Sequence, residues 1–400
     1  MITNGWRETT LGEVCDEVRG IIQTGPFGSQ LHQSDYSQVG IPVVMPKDII
    51  EGRIASDTVA RVSPQHVERL SRHKLRSGDI VYGRRGDIGR QALIRPDQEG
   101  WMCGTGCLRL SLGDGVISPV FLHYYLRQDD VVSWITNQAV GATMPNLNTG
   151  ILRSVPVSFP SLALQQRIAG ILSAYDELIE NNQRRIKILE AMARALYREW
   201  FVHFRFPGHE DIPRVPSPLG EIPQGWEVTT LGRLVEIKKG RNITKATIRD
   251  GNIPVVAGGL APAYFHNAPN TRSPVITISA SGANAGFVNL YHVDVWASDC
   301  SYIDLTATSH VFYYYLWLDH RRATVTHLQR GSAQPHVYPK DLAQLDALGA
   351  PEEMLDAFMR EITPIFALTM RLAAKIENLS RTRDLLLPRL LSGHIDMGGT

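Results

Sequence analysis

The sequence predicts an α+β protein of duplicated plan. Two tandem globular domains are each followed by a long helix, and the two helices pair antiparallel as a spacer, giving a pseudo-twofold object. Three observations predict this. Residues 5–20 (GWRETTLGEVCDEVRG) recur as 225–240 (GWEVTTLGRLVEIKKG) with seven of 16 positions identical. Each copy ends in a stripe of apolar residues at alternating 4-3 spacing. Between repeat start and stripe lie short apolar runs bounded by Gly, Pro, Asn or Asp, the mark of strands.

The repeat keeps its order along the chain. Ile41-Pro42-Val43-Val44 returns as Ile253-Pro254-Val255-Val256, and FLHYYL at 121–126 resembles VFYYYL at 311–316. Gly141 and Pro145 return as Gly331 and Pro335. The offset shrinks from 220 to 190, so the first copy carries about 30 extra residues, all before Tyr124. Runs such as Ile41–Met45, Asp79–Tyr82, Ala92–Ile94 and Val275–Ile278 read as strands, and Val120–Leu126 and Val311–Leu318 as aromatic-bearing helices.

The first stripe is Ile168, Leu172, Tyr175, Ile179, Asn182, Ile186, Leu189, Ala193, Leu196 and Trp200. The second, 190 residues on, is Phe358, Ile362, Ile365, Thr369, Leu372, Ile376, Leu379, Arg383, Leu386 and Leu390. Such a period of 3.5 belongs to paired helices rather than to one helix lying on a core. Asn182, polar on the seam, would fix register. Pro364 predicts a kink or helix start nearby, and Pro388 loosened final turns. Five prolines in 207–223 predict a stiff, extended connector. The expected boundaries are 1–157 for the first domain, 158–206 for its helix and 207–223 for the connector. The second domain is 224–348, its helix 349–394 and a tail 395–400. Helices of 35–40 residues would make a rod of roughly 50–60 Å.

Composition narrows the function. The chain has 400 residues, 43% apolar, with 41 Lys plus Arg against 40 Asp plus Glu. This rules out a uniformly basic polyanion coat but not local basic surfaces. Four Cys make no disulfide framework. The start has no signal-like segment, and no uninterrupted apolar run approaches about 18 residues, so the expected location is the cytoplasm, away from membranes.

Enzyme motifs are missing. There is no G-x-x-x-x-G-K-[ST], no Asp-Pro-Pro-Tyr or Asn-Pro-Pro-Tyr, no G-x-S-x-G and no H-E-x-x-H. Gly104-Thr105-Gly106 precedes a strand-like run, which disfavours a dinucleotide site. Cys103 and Cys107 lack two further ligands at zinc spacing, and His123 is isolated, so core thiols are expected. Asp87, Asp294 and Asp299 read as turn caps.

Charge is instead gathered locally. Residues 61–95 hold nine Lys or Arg (Arg61, Arg69, Arg72, Lys74, Arg76, Arg84, Arg85, Arg90, Arg95) against Glu68, Asp79 and Asp87. A smaller cluster is Lys238, Lys239, Arg241, Lys245 and Arg249, opposed by Glu236 and Asp250. Basic residues on Gly-rich loops in both copies suit phosphates and base edges, whereas a solvated basic face is the plain reading of either alone. Two differing readers on one chain suggest two different half-sites and an unread gap. The competing class is a non-enzymatic coiled-coil spacer with two protein-binding domains. A third is a nuclease or transferase with an unrecognised site.

Over nearly its whole length the chain resembles the DNA-specificity subunit of type I restriction-modification enzymes. The carrying segments are Gly5-Trp6…Leu11-Gly12, Thr24-Gly25-Pro26-Phe27-Gly28-Ser29-Gln30-Leu31, Gly40-Ile41-Pro42-Val43, Gly78-Asp79-Ile80 and Arg85-Gly86-Asp87-Ile88-Gly89-Arg90. Leu196–Phe201, Ile222–Trp226 and Arg383–Gly393 complete them. The second copy departs by lacking the Gly-Pro-Phe-Gly loop and by placing Ser281–Gly286 where the first has Arg85–Arg90.

The resemblance implies two target-recognition domains that read bipartite double-stranded DNA, with helices that dock two modification subunits. Those partners would methylate adenine using S-adenosylmethionine, and a translocase-nuclease subunit would use ATP and Mg²⁺. This chain would be non-catalytic and bind no cofactor or metal. Candidate DNA contacts are Gln23, Thr24, Ser29, Gln30, Arg84, Arg85 and Arg90 in the first copy. In the second they are Lys238, Lys239, Arg241, Asn242, Ser279, Ser281 and Asn284. Arg184, Arg185, Lys187, Arg194 and Arg198 lie off the seam as candidate partner contacts.

Overall fold

The computed structural model describes residues 5–86, 88–113, 115–139, 146–244, 246–331 and 335–392. Asp87, Gly141, Pro145, Lys245, Gly393 and the 395–400 tail lie outside the described residues. The chain divides into two units. The first takes residues up to Glu180 together with those from Glu377, and the second is Asn181–Ile376.

The first unit opens on strand Arg7–Thr10, antiparallel to Pro156–Phe159. Helix Leu11–Glu17 follows at once because Thr10-Leu11-Gly12-Glu13 is a capping box. The Thr10 hydroxyl accepts from Glu13 N at 3.2 Å, and the Glu13 carboxylate accepts from Thr10 N at 3.0 Å. An antiparallel sheet runs in the order Ile21–Thr24, Cys107–Ser111, Ile80–Gly83, Gln91–Leu93. A second sheet runs Met102–Cys103, Ile41–Val44, Ala60–Val62, Tyr36–Ser37, its first pair parallel.

The second unit repeats this plan. Glu227–Thr230 pairs with Asp346–Gly349. Its antiparallel sheet runs Lys238–Lys239, Cys300–Asp304, Val275–Ser279, Val288–Tyr291. Its smaller sheet again holds one parallel pair, Ile253–Val256 with Trp296–Ala297. Arg233 stands where the capping box needs Glu, Thr230 makes no side-chain cap, and helix Leu231–Leu234 is four residues long. The first copy's extra residues fall mainly around Ala60–Val62. Residues 45–59 and 63–79 stand where the second copy has 257–263 and 267–274. They build the hairpin Ile49–Ile50 with Arg53–Ile54 and the short helix Pro64–Arg69.

The long helices are Leu162–Phe201 and Glu352–Leu391. All twenty seam positions are buried or half-buried. In the first unit Ile168 and Leu172 share a core with Leu390 and Leu391, Leu11 and Phe121. Further along the first helix, Asp176 meets Arg383 at 2.5 Å, so the two segments run antiparallel. In the second unit Tyr197, Trp200 and Phe201 pack with Phe358 and Ile362, beside Trp226 and Trp317. Asn182 is 3% exposed and its amide nitrogen has no hydrogen-bond partner.

Two expectations need correction. The second long helix begins at Glu352 and runs unbroken through Pro364 and Pro388. Each proline removes one backbone donor, but buried Phe358, Ile362, Phe366, Leu390 and Leu391 hold the flanking turns by packing. The 207–223 segment is not an extended connector. Gly208, at φ 80°, leads into a 3-10 turn (His209–Asp211), and Arg214–Ser217 then forms a hairpin with Gly220–Pro223. The sequence Ser217-Pro218-Leu219-Gly220 makes the turn, and burial of Ile222 ties the hairpin to the core.

A buried charge network fastens the first unit's helices to its domain. Asp176 accepts from the Tyr124 hydroxyl at 2.7 Å and pairs with Arg383 and, at 3.8 Å, with Arg127. Glu180 takes Arg53 and Arg95, each at 2.9 Å. Burial pushes the Asp176 carboxyl up, but the Tyr124 hydrogen bond and the two arginines outweigh it and hold it below the usual carboxylate range.

Truncating Phe358 to Ala should cost about 3–5 kcal/mol of stability in denaturant unfolding, because the ring is fully buried. Arg383→Met should cost about 3 kcal/mol at pH 7 by stranding Asp176. A depressed folded pKa stabilises above the unfolded value, near 3.9, and that stability is lost as pH falls. The variant's deficit should therefore shrink below about pH 4, as thermal melts across pH would show.

Candidate nucleic-acid interface

The register of the antiparallel sheet decides which loops meet. In the first unit Thr24 lies opposite Leu108, and Cys107 opposite Gly83. The chain leaving Thr24, the chain entering Cys107 and the chain leaving Gly83 therefore emerge at one end of the sheet. In the second unit Lys239 lies opposite Ser301 and Ser279 opposite Cys300, which places the corresponding loops together.

A glycine makes this end possible in each unit. Gly25 N donates to Cys107 O at 2.9 Å, and a Cβ there would sit 2.0 Å from Gly104 O. Gly240 N donates to Cys300 O at 2.8 Å, and its Cβ would sit 2.1 Å from Ser298 O. Only a residue without a side chain admits this approach. Past these glycines the copies diverge, into 26–31 in one and 241–249 in the other.

The hairpin tips are built alike. Arg84 N donates to Gly106 O at 2.8 Å, Leu147 N donates to Arg84 O at 2.9 Å, and Arg85 bridges to Asn146. In the second unit Ala280 N donates to Asp299 O at 3.2 Å, Val337 N donates to Ala280 O at 3.0 Å, and Ser281 bridges to His336. Ser281 thus holds the position of Arg85, so one reader presents a long cation where the other presents a hydroxyl.

The candidate side chains fall into two groups. Ser29, Arg85, Arg90, Lys239, Arg241 and Asn242 are exposed, and Thr24 and Asn284 are half-buried, all at this end of their sheets. The others also brace the fold. Gln23 donates to Arg72 O at 2.6 Å, and the Gln30 side chain accepts from Phe27 N at 3.1 Å, closing its turn. Arg84 donates to Leu147 O at 3.2 Å. The Lys238 ammonium binds the Thr306 hydroxyl and lies 3.6 Å from Asp304. Ser279 is buried and donates to Gly258 O at 3.1 Å. Ser281 donates to the Asp299 carboxylate, which therefore holds a hydroxyl rather than capping a turn. Asp294 does cap one, accepting from Ser273 N at 2.8 Å.

Much of the 61–95 charge is absorbed internally. Arg61 donates to Gly40 O, Arg69 to Gln30 O, and Lys74 meets Glu68. Asp79 is buried against Arg109 at 2.7 Å. Lys47 escaped the sequence reading. It is exposed, and its neighbour Pro46 abuts both Gly83 and Gly106, which places Lys47 beside the loop end. The signal was available, since Met-Pro-Lys-Asp follows the first Ile-Pro-Val-Val where Ala-Gly-Gly-Leu follows the second.

Cys103 and Cys107 are core thiols. Burial pushes Cys103 up to about 12, and Cys107 donates to Val44 O at 3.3 Å. His123 is buried against Gln91, and burial drives its pKa down to about 3. Among the described residues no group of three His, Cys, Asp or Glu could hold a metal ion, and no helix is long and apolar enough to cross a membrane. Arg184, Arg185, Lys187, Arg194 and Arg198 are all exposed on the first long helix.

Comparison with known proteins accords with this plan. A type I restriction-modification DNA specificity domain matches twice, at residues 3–191 and 223–346. The MjaIX type I specificity subunit of Methanocaldococcus jannaschii is 25% identical, over 98% of this chain and 96% of its own. The HindI type I specificity subunit of Haemophilus influenzae is 19% identical, over 98% and 99%. The crystal structure of a type I restriction-modification S subunit from M. genitalium shares the fold. It has a TM-score of 0.64 at 16% identity, over 100% of this chain and 99% of that one. Matched over most of its length, and once for each copy of its repeat, the chain belongs to the type I restriction-modification DNA specificity family.

Proposed function

We propose that this chain reads a bipartite DNA site, one half-site per unit with an unread gap, and positions methyltransferase subunits for adenine methylation in each half. The observation that carries the reading is the double match of the specificity domain onto two units of one topology. Their equivalent loop ends carry different side chains. Two equal tips would suit a palindrome, whereas Arg85 against Ser281 suits two different half-sites.

The exposed cations Lys47, Arg85, Arg90, Lys239 and Arg241 would meet phosphates and base edges. Gln23, Gln30, Arg84, Lys238 and Ser279 would shape the loops that present them. The exposed arginines and lysine of the first long helix would face a partner subunit. The chain itself would be non-catalytic, leaving S-adenosylmethionine to two modification subunits, and ATP and Mg²⁺ to any translocase-nuclease subunit.

Selection from random duplexes by the assembled complex tests this. The selected pool should hold two unlike motifs at constant separation, and a pool without such a pair would refute the reading. Arg85→Ala should relax the first motif, at a cost of about 1–3 kcal/mol per lost base contact, and leave the second intact. Arg241→Ala should do the converse. Equal weakening of both motifs by either substitution would contradict domain-wise reading.

A further inference from the structure

The duplication allows two clefts to be compared position by position. In the second unit a cleft of about 290 Å³ opens between the first long helix and helix Val311–His320. Arg194, Arg198 and His320 rim it over Tyr197 and Leu316. Its one carboxylate, Asp319, is nearly buried and held by Arg322 at 2.6 Å. Arg198 makes no ion pair among the described residues, and Arg194 has only Glu190, at 3.9 Å.

The repeat-related cleft of the first unit carries the opposite charge. Asp129 and Asp130 stand where Asp319 and His320 stand, Asp384 replaces Arg194, and Pro388 replaces Arg198. Glu51 adds another acid, while the cleft's two arginines, Arg127 and Arg383, are both engaged by Asp176. The helix beside the second unit's cleft also differs. Ile188 and Met192 are 54% and 51% exposed, one turn apart, with Ala191 and Ala195 completing an apolar strip along the arginine edge. The related positions are Asn378, Thr382, Arg381 and Leu385, so the strip is lost there.

A surface serving the DNA backbone would be cationic in both units and would gain nothing from exposed Ile and Met. A basic edge beside an apolar strip is instead the complement of a helix with acids flanking an apolar face. We propose that Ile188, Ala191 and Met192 with Arg194 and Arg198 form a docking site for an acidic amphipathic helix of a protein partner, present once per chain. This rests on the reading of the chain as one member of an assembly, and it makes the two units unequal in what they can hold.

The test uses the full chain and a fluorescein-labelled helical peptide with Leu on one face and Glu flanking it, followed by anisotropy. One peptide per chain should bind, more weakly as salt rises, and a Lys version should not bind. Arg194→Glu with Arg198→Glu should lower affinity at least tenfold, and Ile188→Gln with Met192→Gln severalfold, at unchanged circular dichroism. Four results would overturn the proposal: no binding to the parent chain, binding of two peptides, equal binding of the Lys version, or unaltered affinity in both variants. Displacement of the peptide by duplex DNA, with DNA affinity lost in the Arg variant, would make the cleft a DNA surface instead. Half-site selection by the assembled complex is read separately, so failure of domain-wise reading and failure of this site give different patterns.

Discussion

Burial of the two 4-3 stripes is the constraint on which the rest of the structure depends. Neither unit closes its core from one continuous stretch of chain. The first needs Leu390 and Leu391 from the far end of the sequence, and the second needs Tyr197, Trp200 and Phe201 from the first long helix. Each buried aromatic or leucine contributes roughly 1.5–3 kcal/mol on leaving water. The globular domains are thereby held on the helices by core packing rather than joined through loops alone. In the first unit the Asp176 and Glu180 carboxylates add directional ties to Tyr124, Arg53, Arg95 and Arg383.

This constraint frees the opposite part of each domain to vary. With the core met by helices and sheet faces, the loops at one sheet end need satisfy only local hydrogen bonds. Those anchors are nearly identical in the two units: a glycine against the neighbouring strand, and a backbone pair at the hairpin tip. What they display is not. The first unit adds residues around Ala60–Val62, ties the turn at Arg72 to Gln23, and exposes Arg85. The second exposes Arg241 and Asn242 and spends Ser281 on Asp299. Function that depends on difference is thus carried by the part of the fold whose stability depends least on sequence.

The long helices were legible in the sequence because a 3.5-residue period over ten positions has few other physical causes. Their course through Pro364 was not, since a proline's local cost is visible in sequence while the packing of Phe358 and Ile362 that offsets it is not. The hairpin at Arg214–Pro223 was hidden for the same reason. Proline density argues for extension, and only the burial of Ile222 favours folding back. At the loop end, residue type identified the exposed cations. It could not show that Gln23, Lys238 and Ser279 have internal partners, because those partners are 49, 68 and 21 residues away.

The central claim is that each unit reads its own half-site. Its most direct measurement is a genome-wide map of methylated adenine in cells that express this chain with its modification subunits. The account predicts one motif made of two unlike parts at constant separation, with a modified adenine in each part. A single continuous motif, two identical parts, or no modified adenine traceable to the chain would contradict it.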